Sequence, residues 1–117
     1  MATISKQKLS GSGTNSRPIS LTTAVTSGAV TIHTAVAGET DFDEVWVWAT
    51  NVNTTAETLT LEVGTADEDQ NVMAIIQPDE TVLVCPGILM HNGDVLKGFS
   101  TTANKVNVFG FVNRLDV

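Results

Sequence analysis

The chain has 117 residues, room for one domain with a thin core, and this length excludes most multidomain enzymes. With 42% hydrophobic and 16% charged residues it is too apolar for intrinsic disorder, and its single cysteine, Cys85, excludes an internal disulfide framework or a cysteine-based metal cluster. The net charge of −7 is uneven: residues 1–38 carry Lys6, Lys8 and Arg17 and no acid, whereas residues 39–117 set three cations against all thirteen acids, a balance of −10 that disfavours nucleic acid and anionic membrane as partners.

Residues 1–28 hold six Ser, five Thr, three Gly and one Asn, with isolated apolar residues Ile4, Leu9, Ile19, Leu21 and Val25. Such a segment cannot build a core of its own, so it is expected to be either a floppy end or an extended arm that becomes ordered on another chain, hinged near Arg17-Pro18. No apolar run approaches the ~18 residues that span a bilayer, and the start of the chain has no hydrophobic signal region, so the expectation is a protein made in the cytoplasm.

From residue 29 the pattern turns to short runs of β period. In Ala29–Val36, Val30, Ile32 and Val36 share one parity and Thr31 and His33 the other, which places His33 on an exposed or interface side. Glu44–Asn51 is the strongest strand, with β-branched and aromatic residues throughout. Thr58–Val63 alternates cleanly, Leu59, Leu61 and Val63 inward and Glu62 outward. Val72–Gln77 and Thr81–Cys85 flank the turn Pro78-Asp79-Glu80, and Pro86-Gly87 ends the second run. Ile88–Met90 leads into the tight-turn signal Asn92-Gly93, followed by Val95–Ser100 and Lys105–Arg114. About eight strands and no helix-period stretch predict an all-β chain: a domain at 29–117 built as an antiparallel β-sandwich, jelly-roll-like or immunoglobulin-like, or a small barrel, behind the N-terminal arm at 1–28.

Several strands are apolar on both sides. Trp46 and Trp48 oppose Val45, Val47 and Ala49, and Phe109 and Phe111 oppose Val106, Val108 and Val112. A sandwich about 10 Å thick covers only one of those faces, so Trp46, Trp48, Phe109 and Phe111 are expected at a subunit interface. Burying ~600 Å² there is worth on the order of 15 kcal/mol before association costs.

Chemistry-bearing residues are few. His33 and His91 are the only imidazoles, and a Cys85, His91, Asp94 set would need a reactive thiol that an apolar run does not supply. Asp67-Glu68-Asp69-Gln70-Asn71 opens like a calcium loop, but Val72 and Pro78 stand where that loop needs glycine and glutamate. Glu39, Asp41, Asp43 and Glu44 look like a solvated rim. No phosphate-cradling glycine loop or dinucleotide fingerprint is present, and no catalytic residue, metal or cofactor is expected.

The basic Ser/Thr/Gly-rich leader, the acidic β-sandwich and the segments Phe42-Asp-Glu-Val-Trp-Val-Trp-Ala-Thr-Asn51 and Val106-Asn-Val-Phe-Gly-Phe-Val-Asn-Arg114 resemble the small β-rich capsid decoration, or cement, proteins of tailed double-stranded DNA bacteriophages. The resemblance covers roughly residues 29–117; the leader matches in character only. It implies a non-enzymatic virion structural protein that binds the major capsid protein from outside an assembled capsid and reinforces it, as a homotrimer. On that reading Ile4, Lys6, Lys8, Leu9, Arg17, Ile19 and Leu21 form a capsid-binding arm. Alternatives are another phage structural part, such as a head fibre or tail component, and a carbohydrate-binding module stacking sugars on Trp46 and Trp48.

Overall fold

Alternating β-branched and polar residues yield nine strands in the computed structural model, which describes residues 2–117. They are β1 (Thr3–Lys8), β2 (Ile19–Ser20), β3 (Val30–Thr34), β4 (Phe42–Asn51), β5 (Glu57–Val63), β6 (Val72–Ile76), β7 (Thr81–Met90), β8 (Val95–Ser100) and β9 (Val106–Asp116). Three single 3-10 turns join them, and no α-helix occurs among the described residues. Local turn chemistry sets several corners. Asn92 and Gly93 both take positive φ, 58° and 69°, as a tight primed turn between β7 and β8 requires, and Asp79 at φ 61° turns β6 into β7.

The pairing is nested: β2 with β9, β3 with β8, β4 with β7 and β5 with β6, all antiparallel. A single long hairpin rolled on itself gives this pattern, and the extra ladders β4·β9 and β5·β8 close it into two sheets. One sheet runs β1-β9-β4-β7 with β2 also on β9, and the other runs β3-β8-β5-β6. The molecule is therefore an antiparallel β-sandwich of jelly-roll topology, not an immunoglobulin-like one. Val45, Val47 and Ala49 of β4 meet Leu59, Leu61, Leu96, Val106, Val108 and Val112 in the dry layer between the sheets.

The leader departs from its expectation. Leu9, Ile19 and Leu21 are buried in this same core, β1 lies in register along the C-terminal half of β9, and β2 pairs with Ile19 opposite Val108. The division at residue 28 therefore does not separate an arm from a body. Isolated apolar residues among Ser and Thr suffice to anchor a segment when a neighbouring strand supplies the backbone partners, and β9 does so for β1 and β2.

Two further differences have local causes. Thr81–Met90 is one strand rather than two, because Pro86 sits where an outer strand needs no N–H donor and the extra residues are absorbed as register shifts opposite Val45/Trp46 and Val47/Trp48. A register shift between Thr31 and His33 turns His33 inward beside Ile32, so His33 is buried, not exposed.

Candidate functional site

The outer face of the five-stranded sheet carries the aromatic residues. On the β4·β9 ladder Val45, Val47 and Ala49 face inward, so the opposite parity brings Trp46 across from Phe111 and Trp48 across from Phe109 on the outside. The four rings form a continuous layer: Trp46 to Phe111 is 6.3 Å between centroids, Trp48 to Phe109 6.1 Å, Trp48 to Phe111 6.2 Å and Trp46 to Trp48 6.4 Å, with planes within 30° of parallel. Each such pair is worth about 0.5–1.5 kcal/mol beyond its buried area. Phe109 is 39% exposed, and Leu83, Leu89 and Ile4 widen the apolar surface across the flanking strands.

Backbone and polar groups fix this layer. Gly87, at φ 75°, leaves the space that the Trp46 indole occupies; a Cβ there would lie 2.8 Å from the ring. The Trp46 indole N–H donates to Glu44 Oε1 at 2.6 Å and the Asn113 amide donates to the same oxygen at 3.1 Å. Those two donors, the indole first, hold the Glu44 carboxyl below its ordinary range. Lys6 places its ammonium 4.8 Å from the Phe111 centroid, a cation–π contact that caps the layer on the β1 side. All four residues expected at an interface thus share one outward surface, aromatic at the centre with the Glu44 carboxylate and the Lys6 ammonium at its rim.

The arm residues divide. Ile4, Lys6, Lys8 and Arg17 are exposed, whereas Leu9, Ile19 and Leu21 are interior. In this conformation the latter three touch only their own domain.

At one end of the interior lies a polar cluster that sequence reasoning missed. Asp43, expected on a solvated rim, is fully buried and shares the inward parity of Val45. Directly opposite on β9, Arg114 donates through Nε to Asp43 Oδ1 at 2.8 Å and through Nη2 to Oδ2 at 3.0 Å. His33 Nε2 is 2.8 Å from Oδ2, and the Val36 N–H donates to it at 3.0 Å. Burial opposes ionisation of Asp43, but the Arg114 and His33 hydrogen bonds outweigh it and leave the carboxyl below its ordinary range. The readable signal was an acid and a base on the apolar parity of two strong strands.

A Ser, His, Asp trio at this point does not form a nucleophilic relay. The Ser10 backbone N–H donates to His33 Nδ1 at 3.0 Å, so Nδ1 is an acceptor and the ring hydrogen on Nε2 faces Asp43. Ser10 Oγ accepts from the Thr34 N–H at 2.7 Å. A triad needs the hydroxyl on the imidazole nitrogen. Here the imidazole clips the leader to β3 and β4 instead.

Cys85, His91 and Asp94 are not brought together. Cys85 points into the core opposite Val47, and burial pushes its thiol up to about 11; His91, six residues on, stacks on Phe42 at 4.9 Å. Asp67 spends its carboxylate on the Asp69 N–H at 3.0 Å, and no group of three His, Cys, Asp or Glu placed to hold a metal occurs among the described residues.

Two clefts complete the surface. One of about 320 Å³ lies between Glu62, Gly64 and Thr65 on one side and Asp94 and Lys97 on the other. Glu62, expected outward, does face out of the sheet but is covered, hydrogen-bonded by the Thr26 hydroxyl. The second, about 250 Å³ and apolar, opens between the β6 and β7 edges. In comparisons with known proteins, no family model, no curated protein and no solved structure matches this chain.

Proposed function

We propose that this chain is a non-enzymatic structural protein of a bacteriophage particle, a decoration protein that binds the outside of the assembled capsid and associates with copies of itself, as a trimer, through the aromatic face. The carrying observation is the layer of Trp46, Trp48, Phe109 and Phe111 on the outer face of one sheet, bordered by exposed Ile4, Leu83 and Leu89. Contiguous apolar surface of this kind marks a contact site rather than a catalytic one. A rigid jelly roll with few titratable groups on that face suits a part that reinforces by position. The topology itself is shared by capsid proteins, lectins and enzymes and does not choose among them.

In this proposal the capsid is met by the exposed part of the leader, Ile4, Lys6 and Lys8 on the edge strand β1 together with Arg17 in the loop before β2, rather than by a loose arm. Several copies acting together multiply individually weak contacts through effective concentration.

The Glu44 and Asn113 groups beside the tryptophans favour a second reading, a sugar platform, because ring stacking plus adjacent hydrogen-bonding groups is what a glycan needs. Sedimentation equilibrium at micromolar concentration separates them. A trimer that Trp48→Ala and Phe109→Ala convert to monomer supports the structural assignment. A wild-type monomer whose tryptophan emission shifts on adding glycans overturns it. Particles of the parent phage imaged by cryo-EM should then carry the protein on their outer surface; its absence there removes the decoration role.

A further inference from the structure

Each sheet of a sandwich has two edges, and an edge left open is a template for another strand. Three of the four edges here are guarded. The β1 edge carries Lys6 and Lys8, and β7 is broken by two register shifts and Pro86. The β3 edge has a register shift and is covered by the leader, where the Thr34 N–H bonds Ser10 Oγ and Gly11 packs against the Thr31 and Ile32 carbonyls. The fourth, β6, reads Val-Met-Ala-Ile-Ile: no charge, no proline, no bulge, and a ladder to β5 on one side only.

Its side chains are equally uncovered. Met73 and Ile75, on the outer side of the sheet, are 61% and 68% exposed. On the inner side Val72 and Ala74, with Leu59, Leu61, Val82 and Val84, line the apolar cleft of about 250 Å³ where the sandwich mouth stays open. That volume exceeds a cavity of about 150 Å³ that holds benzene, so it admits about two branched aliphatic side chains.

Both ends of β6 are acidic, with Asp67, Glu68 and Asp69 before it and Asp79 and Glu80 after it, and residues 18–96 contain no lysine or arginine. A second copy docked edge to edge by a two-fold axis would run antiparallel and set Asp67–Asp69 against the partner's acidic turn. Like charges at both ends oppose that arrangement.

We infer that β6 is a docking edge for an extended segment of a different protein. The segment adds as a further strand, places two aliphatic side chains spaced i, i+2 into the β6–β7 mouth, and carries lysine or arginine at both of its ends. Main-chain bonding supplies the affinity, the mouth selects the aliphatic pair, and the acidic flanks select the basic ends.

The probe is a fluorescently labelled peptide, Lys-Arg-Thr-Val-Thr-Ile-Thr-Lys-Arg, titrated at low salt onto the full-length protein and followed by polarization and by backbone amide shifts. Expected are saturable binding, shifts concentrated on Val72–Ile76, and at least about tenfold weaker binding when glutamates replace the four basic residues. That comparison uses unmodified protein and holds whether or not a variant folds. Met73→Lys with Ile75→Lys, at positions open to solvent, should weaken binding to a similar degree. No saturation up to about 1 mM, equal affinity for the two peptides, or shifts centred on another edge overturn the inference. So does a dimer abolished by the double variant, which would assign the edge to a second copy.

Discussion

Asp43 shows how much a single buried group can fix. It ties β4 to β9 through Arg114, to β3 through His33 and to the following loop through Val36. Asp43→Asn removes the charge that pairs Arg114, whose side chain is 31% exposed, and should cost about 1.5–3 kcal/mol in urea unfolding, because the charge-assisted hydrogen bonds to Asp43 are lost. The pH dependence has a definite sign. Asp43 and Glu57 both have folded pKa values below their ordinary ones, so their stabilisation is full above the unfolded carboxylate range and is lost as pH falls through it toward the lowered values. The urea midpoint should drop on acidification from pH 5 to pH 3, and Asp43→Asn should flatten that drop; an unchanged slope would remove Asp43 as a contributor. For Cys85, with its thiol near 11 and its side chain in the core, a disulfide reagent at pH 8 should react only after unfolding. Rapid labelling of native protein would contradict the core placement.

At the scale of elements, the β4·β9 ladder carries both the dry layer and the aromatic face, and its weak point is Gly110. A Cβ on Gly110 would run into the Trp46 carbonyl and the Val47 backbone, neither of which can move without parting the strands. Gly110→Ala should therefore destabilise by about 3 kcal/mol or more and lower near-UV tryptophan dichroism, since the strand separation disturbs the ring layer directly above it. The alternation in Phe42–Asn51 and Val106–Asp116 made these strands legible, with both faces marked. Legible too were Leu59 and Leu61 on β5 and the turn at Asn92-Gly93. The inward turn of His33 was not, because a one-residue register shift reverses parity and leaves no mark in the sequence. Pro86 misled for a related reason: proline signals a strand end, yet an outer strand tolerates it.

For the whole molecule, the leader is part of the fold. Leu21 is fully buried, with its backbone bonded to Val106 of β9 and to Asn104 in the turn before it, so Leu21→Ala should cost about 2–5 kcal/mol, where a detached arm would cost almost nothing. Deletion of residues 2–28 should likewise expose the core and strip β9 of both β1 and β2, giving an aggregating product; a soluble folded body after truncation would restore the arm. The chain's polarity has a clear layout in this frame: basic leader along one edge of the five-stranded sheet, aromatic layer over the centre of that sheet, and acidic turns at both ends of β6, the edge strand of the other sheet.

The sequence by itself determined the all-β class, the positions of β3 to β6, β8 and β9 to within a few residues, and the presence of four aromatic residues on a second apolar face. These follow from side-chain alternation and turn residues, which act within a few positions of chain. Tertiary structure alone decided the nested pairing, the capture of the leader by β9, the burial of Asp43 with Arg114 and His33, and the unguarded edge of β6. Each of those depends on which strand supplies hydrogen bonds or cover: the inward parity of Asp43 and Arg114 is written in their own strands, but that the two face each other across 71 residues of chain is not.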